Sequence, residues 1–347
     1  MQGTERLVHF KFFLLIIFIL FSCNISAQDF PDPVVDSLLK SGIRLVVNQK
    51  YSDAEKLFTE LNSRYPSLPL GKIYLAANKI AEAYDYSNEF DEEFIIENLE
   101  SAKLQAEELE SINSQNIWNQ YYIALAEGYI SYFEAIKGNW FSALGTGISS
   151  ISKFEEILDN NNKFYEAYIA IGTFEYWKSR KLEFMNWLPF SDDTREIGID
   201  LLIVAIDSSS YNSHLAVNSL IWIYIDQGQF ESAINVAEKA LKEFPSSRTF
   251  KWGLARAYEE IDPSISIKLY KQILNSYPRL PSGNYINEIT LKHLIAQQYA
   301  KIGDRKNAIV YCDEILSMKN LPVIIQTKMS DRIKRVKELK SELTSSH

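Results

Sequence analysis

Apolar residues recur along most of this chain at spacings of three and four, which sets them on one face of a helix. The pattern is cleanest over 214–247. Leu220 and Tyr224 share a face of a first helix, and Ala233, Ala237, Ala240 and Leu241 share a face of a second. Gly228 lies between them, where a turn needs a residue without a β-carbon, and Pro245 ends the second helix because it has no N–H to give. Small side chains at Ala233 and Ala240 let the two helices approach closely, and a larger side chain there would cost about 1–3 kcal/mol. One such pair cannot bury its apolar stripe alone, so the pattern predicts neighbouring pairs stacked on it.

Weaker copies flank the central one. Over 35–67, Gly42 and Leu45 precede Tyr51, Ala54, Phe58 and Leu61, and Ser52 with Glu55 has the spacing of a capping box. Helices are predicted over 71–84, 92–111, 116–136 and 140–158, the last two turned at Gly138-Asn139. A further pair is predicted over 167–176 and 196–206, with Ile171 and Gly172 in register, Gly198, Leu202 and Ala205 in packing positions and Asp193 with Glu196 as a cap. Between these helices, 178–194 inserts Phe184, Met185, Trp187, Leu188 and Phe190, which either fold back or form an exposed patch. Copies follow over 248–279, with Asp262-Pro263 opening a helix, and over 289–321, where Tyr299 and Gly303 repeat Tyr224 and Gly228. Tyr65-Pro66, Phe244-Pro245 and Tyr277-Pro278 close three copies alike. Lys328, Arg332, Lys334, Arg335 and Lys337 make a final helix over 323–343 polar, as the open end of a stack requires.

The unit at 214–247 is 34 residues long and carries Leu220, Tyr224, Gly228, Phe230, Ala233, Ala240 and Pro245 at spacings that resemble a tetratricopeptide repeat of the bacterial exported type. The expected fold is all-α, a tetratricopeptide-like α-α superhelical solenoid over 28–343, with about seven helix pairs and a C-terminal capping helix. The resemblance implies that the first helix of each pair lines a concave groove. The positions that would face a ligand are Tyr132, Thr173, Tyr176, Asn218, Trp222, Trp252, Arg256, His293 and Gln297. Aromatic residues beside an arginine suit an interface anchor, although Trp222 and Trp252 could equally pack between helices. The cationic pairs with which some relatives clamp a terminal carboxylate do not stand at the matching positions.

The N-terminus has its own logic. Arg6 and Lys11 precede the apolar run 12–21, which is too short to span a bilayer and reads as an export signal over 1–27. Ile25-Ser26-Ala27 fits cleavage before Gln28, whereas Leu20-Phe21-Ser22-Cys23 resembles a bacterial lipobox that would lipidate Cys23. Either route takes the protein to the periplasm or the outer membrane, and a membrane contact is expected only through such an anchor. The net charge is −9; Glu5, Arg6 and Lys11 sum to +1, leaving −10 beyond residue 27, so a nucleic-acid partner is not expected. Cys312 has no second cysteine to pair with beyond the signal, and its inward position suits a buried thiol. No zinc-ligand spacing, phosphate loop or nucleophile elbow occurs, and acidic pairs such as Glu107-Glu108 read as solvated helix faces. No cofactor, metal or catalytic residue is therefore expected. The expectation is a non-enzymatic scaffold that binds a peptide or protein segment. The alternative is a lipid-anchored envelope assembly or secretion factor that docks a membrane complex.

Overall fold

The computed structural model describes residues 28–182, 193–278 and 284–345. The expected export signal, Cys23, and residues 183–192 of the insertion lie outside the described residues. Among the described residues there are fifteen helices and no strand. They run in pairs: α1 (Pro33–Val47) with α2 (Tyr51–Arg64), α3 (Leu70–Tyr86) with α4 (Glu92–Ile112), α5 (Ile117–Lys137) with α6 (Trp140–Asn160), and α7 (Tyr165–Leu182) with α8 (Arg195–Ser208). Then come α9 (Ser213–Asp226) with α10 (Phe230–Glu243), α11 (Arg248–Ile261) with α12 (Pro263–Ser276), and α13 (Tyr285–Lys301) with α14 (Arg305–Leu316). The capping helix α15 (Val323–Ser345) packs across α13 and α14.

In five of the seven pairs the turn passes through one left-handed residue: Gln49, Ser87, Gly138, Gly228 or Gly303. The following N–H then reaches the carbonyl five residues back, as in Lys50 to Leu45, Asn139 to Glu134 and Gln229 to Tyr224. This closure satisfies carbonyls that the helix end would otherwise leave bare. The α11–α12 turn works differently: the Asp262 side chain accepts from Ser264 N at 2.9 Å and Pro263 opens α12. Of two further expected caps, one does not form and the other is shifted by a residue. Lys50 is the N-cap of α2, so Ser52 lies too deep in the helix and Glu55 pairs with Lys79 instead, at 3.2 Å. At α8, Thr194 holds the N-cap position without a side-chain cap bond. Asp193, one residue earlier, accepts from the Arg195 backbone N–H at 3.1 Å as well as from its guanidinium at 2.9 Å.

Where the pattern calls for small residues, the helices touch closely. A β-carbon on Gly172 would lie 2.7 Å from the Gly198 carbonyl oxygen, and one on Gly198 would lie 2.5 Å from that of Gly172. Here α7 and α8 meet backbone to backbone, which also fixes the ends from which the insertion departs and returns. The α7 helix continues to Leu182, so the first residues assigned to the insertion are helical.

The stack curls until its rims meet. Ser246 donates to Asn48 at 2.9 Å across 198 residues, and the Arg248 N–H donates to Gln49 Oε1 at 3.1 Å across 199. One pair further along, Ser87 donates to Asn287 at 3.0 Å across 200 residues, and Asn287 Nδ2 donates to the Asp85 carbonyl at 2.8 Å across 202. The offset is nearly constant, so the superhelix completes one turn in five helix pairs.

Candidate functional site

The first helices of five successive pairs begin at one point. Trp118 and Tyr121 of α5 meet Phe30 before α1, Phe164 before α7 and Tyr211 before α9, with ring centroids between 5.0 and 6.2 Å apart. Beneath the rings lies a buried carboxylate. Glu166 accepts from Tyr211 N at 2.8 Å, Asn212 N at 3.3 Å and Asn212 Nδ2 at 2.8 Å. Asn212 Nδ2 also reaches the phenol oxygens of Tyr74, at 3.1 Å, and Tyr121, at 3.2 Å. Burial raises the pKa of Glu166, and these hydrogen bonds act against that rise. Tyr211 OH donates to Asp36 at 2.6 Å and ties α1 to the same hub. At this end the concave wall is filled by the protein's own side chains, so no groove is open along its full length.

The rim contact is equally specific. Arg248 grips Asp85 in a bidentate pair, with Nε donating to Oδ1 at 2.8 Å. Its guanidinium packs on the adjoining rings of Tyr277, at 4.6 Å, and Tyr86, at 5.5 Å, which also touch each other. Tyr51 OH donates to Asp85 Oδ2 at 3.0 Å, so four helices converge on one ion pair. Neither the hub nor the rim leaves a local trace in the sequence. The hydrogen bonds that build them join residues 34 to 175 apart and follow no helical period.

The residues expected to face a ligand fall into two groups. Tyr176 is 0% exposed and donates to Asp226 Oδ2 at 2.7 Å, bonding α7 to α9. His293 is 2% exposed, because α15 covers it. These two are buried packing residues rather than groove contacts. Thr173 donates to Ser219 at 3.0 Å, and Asn218 is half-buried with an Oδ1 that accepts no hydrogen bond. Trp222 and Trp252 are half-exposed, while Arg256 and Gln297 are exposed. Arg256 holds Glu259, which also accepts from Tyr270 OH at 2.6 Å. Tyr132 is 49% exposed, yet the surrounding protein, with Tyr84 nearby, pushes its phenol up to about 12.

Helix geometry decides whether the two indoles share a face. Gly253 of α11 packs against Ile221 of α9, where a β-carbon would lie 2.5 Å from Ile221 Cγ2. Trp222 follows Ile221 and Trp252 precedes Gly253. In two parallel helices, one step forward and one step back rotate by about 100° in opposite senses from the contact line. Both indoles therefore turn to the same side, with Arg256 one turn beyond Trp252. The fold is tetratricopeptide-like.

No family model matches the chain, and no curated protein is similar to it. Among solved structures, a tetratricopeptide protein from Thermus thermophilus is 14% identical over 64% of this chain and 98% of its own, with a TM-score of 0.40. A tetratricopeptide repeat protein from Parabacteroides merdae is 14% identical over 91% of this chain and 100% of its own, at 0.35. A human IFIT1 dimer with m7Gppp-AAAA is 13% identical over 85% of this chain, at 0.48, and the chain spans 62% of its length. Likenesses this loose give no residue correspondence, and no partner is transferred from them.

Among the described residues, no group of three or more His, Cys, Asp or Glu side chains is arranged to hold a metal ion, and no helix is long and apolar enough to cross a membrane. Cys312 is fully buried, and burial raises its thiol pKa. On the outside of the superhelix, Trp140, Phe141, Leu144 and Ile148 of α6 form an exposed apolar stripe, with Phe141 96% exposed.

Proposed function

We propose that this protein is a non-enzymatic, exported scaffold that binds a peptide or protein segment on its concave wall. The wall is usable where the hub leaves it open, along Tyr132, Trp222, Trp252, Arg256 and Gln297. The observation that carries this reading is the pair of half-exposed indoles turned to one side of the α9–α11 contact. Large amphipathic rings in a partly desolvated recess supply most of the binding energy in typical interfaces. A photo-crosslinking residue at position 222 should form protein adducts in the cell envelope, whereas one at Lys239 on the outer layer should not. Equal adducts at both positions, or none at 222, would reject the groove.

A second reading, a lipid-anchored assembly or secretion factor, is favoured by Leu20–Cys23 together with the apolar stripe on α6. Mass spectrometry of the mature N-terminus separates the two. An acylated Cys23 supports the anchored form, and a free amine near Gln28 supports the soluble one.

A further inference from the structure

Arginines in this fold come with carboxylates. Arg44 holds Glu243, Arg64 holds Glu60, Arg180 holds Asp226, Arg195 holds Asp193, Arg248 holds Asp85 and Arg256 holds Glu259. Arg332 and Arg335 of α15 break the rule: among the described residues, neither has a carboxylate within 4.0 Å. Arg332 is half-buried, and its Nη1 donates to Nδ1 of the buried His293 at 3.4 Å. Asp331 lies next to Arg332 and four residues before Arg335, yet it pairs with neither. Lys328, one turn before Arg332, is also without a carboxylate, so three cations at i, i+4 and i+7 share one face of α15.

A guanidinium withdrawn from water without an anion is unfavourable, and a second guanidinium one turn away adds repulsion. The chain as a whole carries −9, so this local excess of positive charge does not come from a basic composition. Arg332 uses one of its five N–H donors on His293, which fixes the guanidinium and leaves the rest of the planar fork free.

We propose that Arg332 and Arg335 form a binding site for an oxyanion, a carboxylate or a phosphate group, at the α13–α15 end of the superhelix, with His293 as the residue that positions Arg332. The site lies on the capping helix and stands independently of the groove near Trp222.

The test uses the full chain at pH 7 and constant ionic strength, with chloride replaced by inorganic phosphate in one arm and by an acetylated tetraglutamate peptide in the other. The melting temperature should rise saturably with at least one probe. Arg335→Gln, at an exposed position, and the double variant R332Q/R335Q should weaken that response about tenfold or more, the loss expected for a charge-assisted hydrogen bond. Without either probe, these variants should melt no lower than the parent, because a like-charge contact has been removed. His293→Gln keeps an acceptor for Arg332 and should retain the response, whereas His293→Leu should lose it. A response to phosphate alone assigns the site to free phosphate, and a response to the peptide assigns it to a carboxylate. No saturable rise with either probe, or an undiminished rise in Arg335→Gln, overturns the proposal.

Discussion

At the scale of single residues, two kinds of buried titratable group act on stability in opposite senses. Burial, helped by Arg332 and Arg335, pushes His293 down to about 4. Its unfolded value is near 6.5, so between roughly pH 6.5 and 4 the unfolded chain binds more protons than the folded one. Stability from this site is therefore complete above that window and is lost as pH falls through it. The loss is about 2–3 kcal/mol by pH 4. Glu166 has the opposite sign. Its raised pKa means the folded state holds a proton longer, so its contribution weakens as pH rises past the unfolded carboxylate value. Urea unfolding at pH 7 and pH 4.5 should show the parent losing more stability on acidification than His293→Gln, by about 2 kcal/mol. Identical losses would remove His293 from the account.

At the scale of helices, the sequence patterns were strong wherever neighbours in space are neighbours in sequence. Gly138, Gly228 and Gly303 mark turns that do adopt the left-handed conformation. The structure places the corresponding turns of α1 and α3 at Gln49 and Ser87, where no glycine announces them. The Ser52–Glu55 cap fails for a similar reason: Tyr51 is already helical, which moves the true cap back to Lys50. Concave positions inferred from repeat spacing include Tyr176 and His293, and spacing alone cannot anticipate Asp226 or α15 closing over them. Gly198 was legible as a packing position and Gly172 as in register with the repeat, and the contact the structure shows between them gives a sharp prediction. Gly198→Ala should destabilise the protein by about 1–3 kcal/mol, because the methyl meets backbone that cannot rotate away. Chemical denaturation measures this. Gly145→Ala, where a β-carbon meets nothing within 4 Å, is the control and should be neutral or slightly stabilising.

At the scale of the whole molecule, the rim contacts change how the stack holds together. An open solenoid is stabilised by nearest neighbours only, so damage stays local. Here Arg248 joins α11 to Asp85 at the end of α3 across 163 residues. Asp85→Ala would leave a buried guanidinium without its counter-charge and should cost about 3–5 kcal/mol. Hydrogen exchange should show α1–α3 and α10–α13 losing protection together, while α6 and α7 change little. Loss confined to α3 would mean that the two rims are not energetically joined.

The near-constant offset between the rims has an evolutionary consequence. Solenoids commonly lengthen by duplicating an internal unit, and each copy is tolerated because only adjacent units must fit. In this chain, a duplication anywhere between α3 and α10 would carry Arg248 one unit past Asp85 and Ser246 past Asn48. Growth by gene duplication is thereby restricted to the two ends, and the number of interior units is fixed by the geometry of a single closed turn.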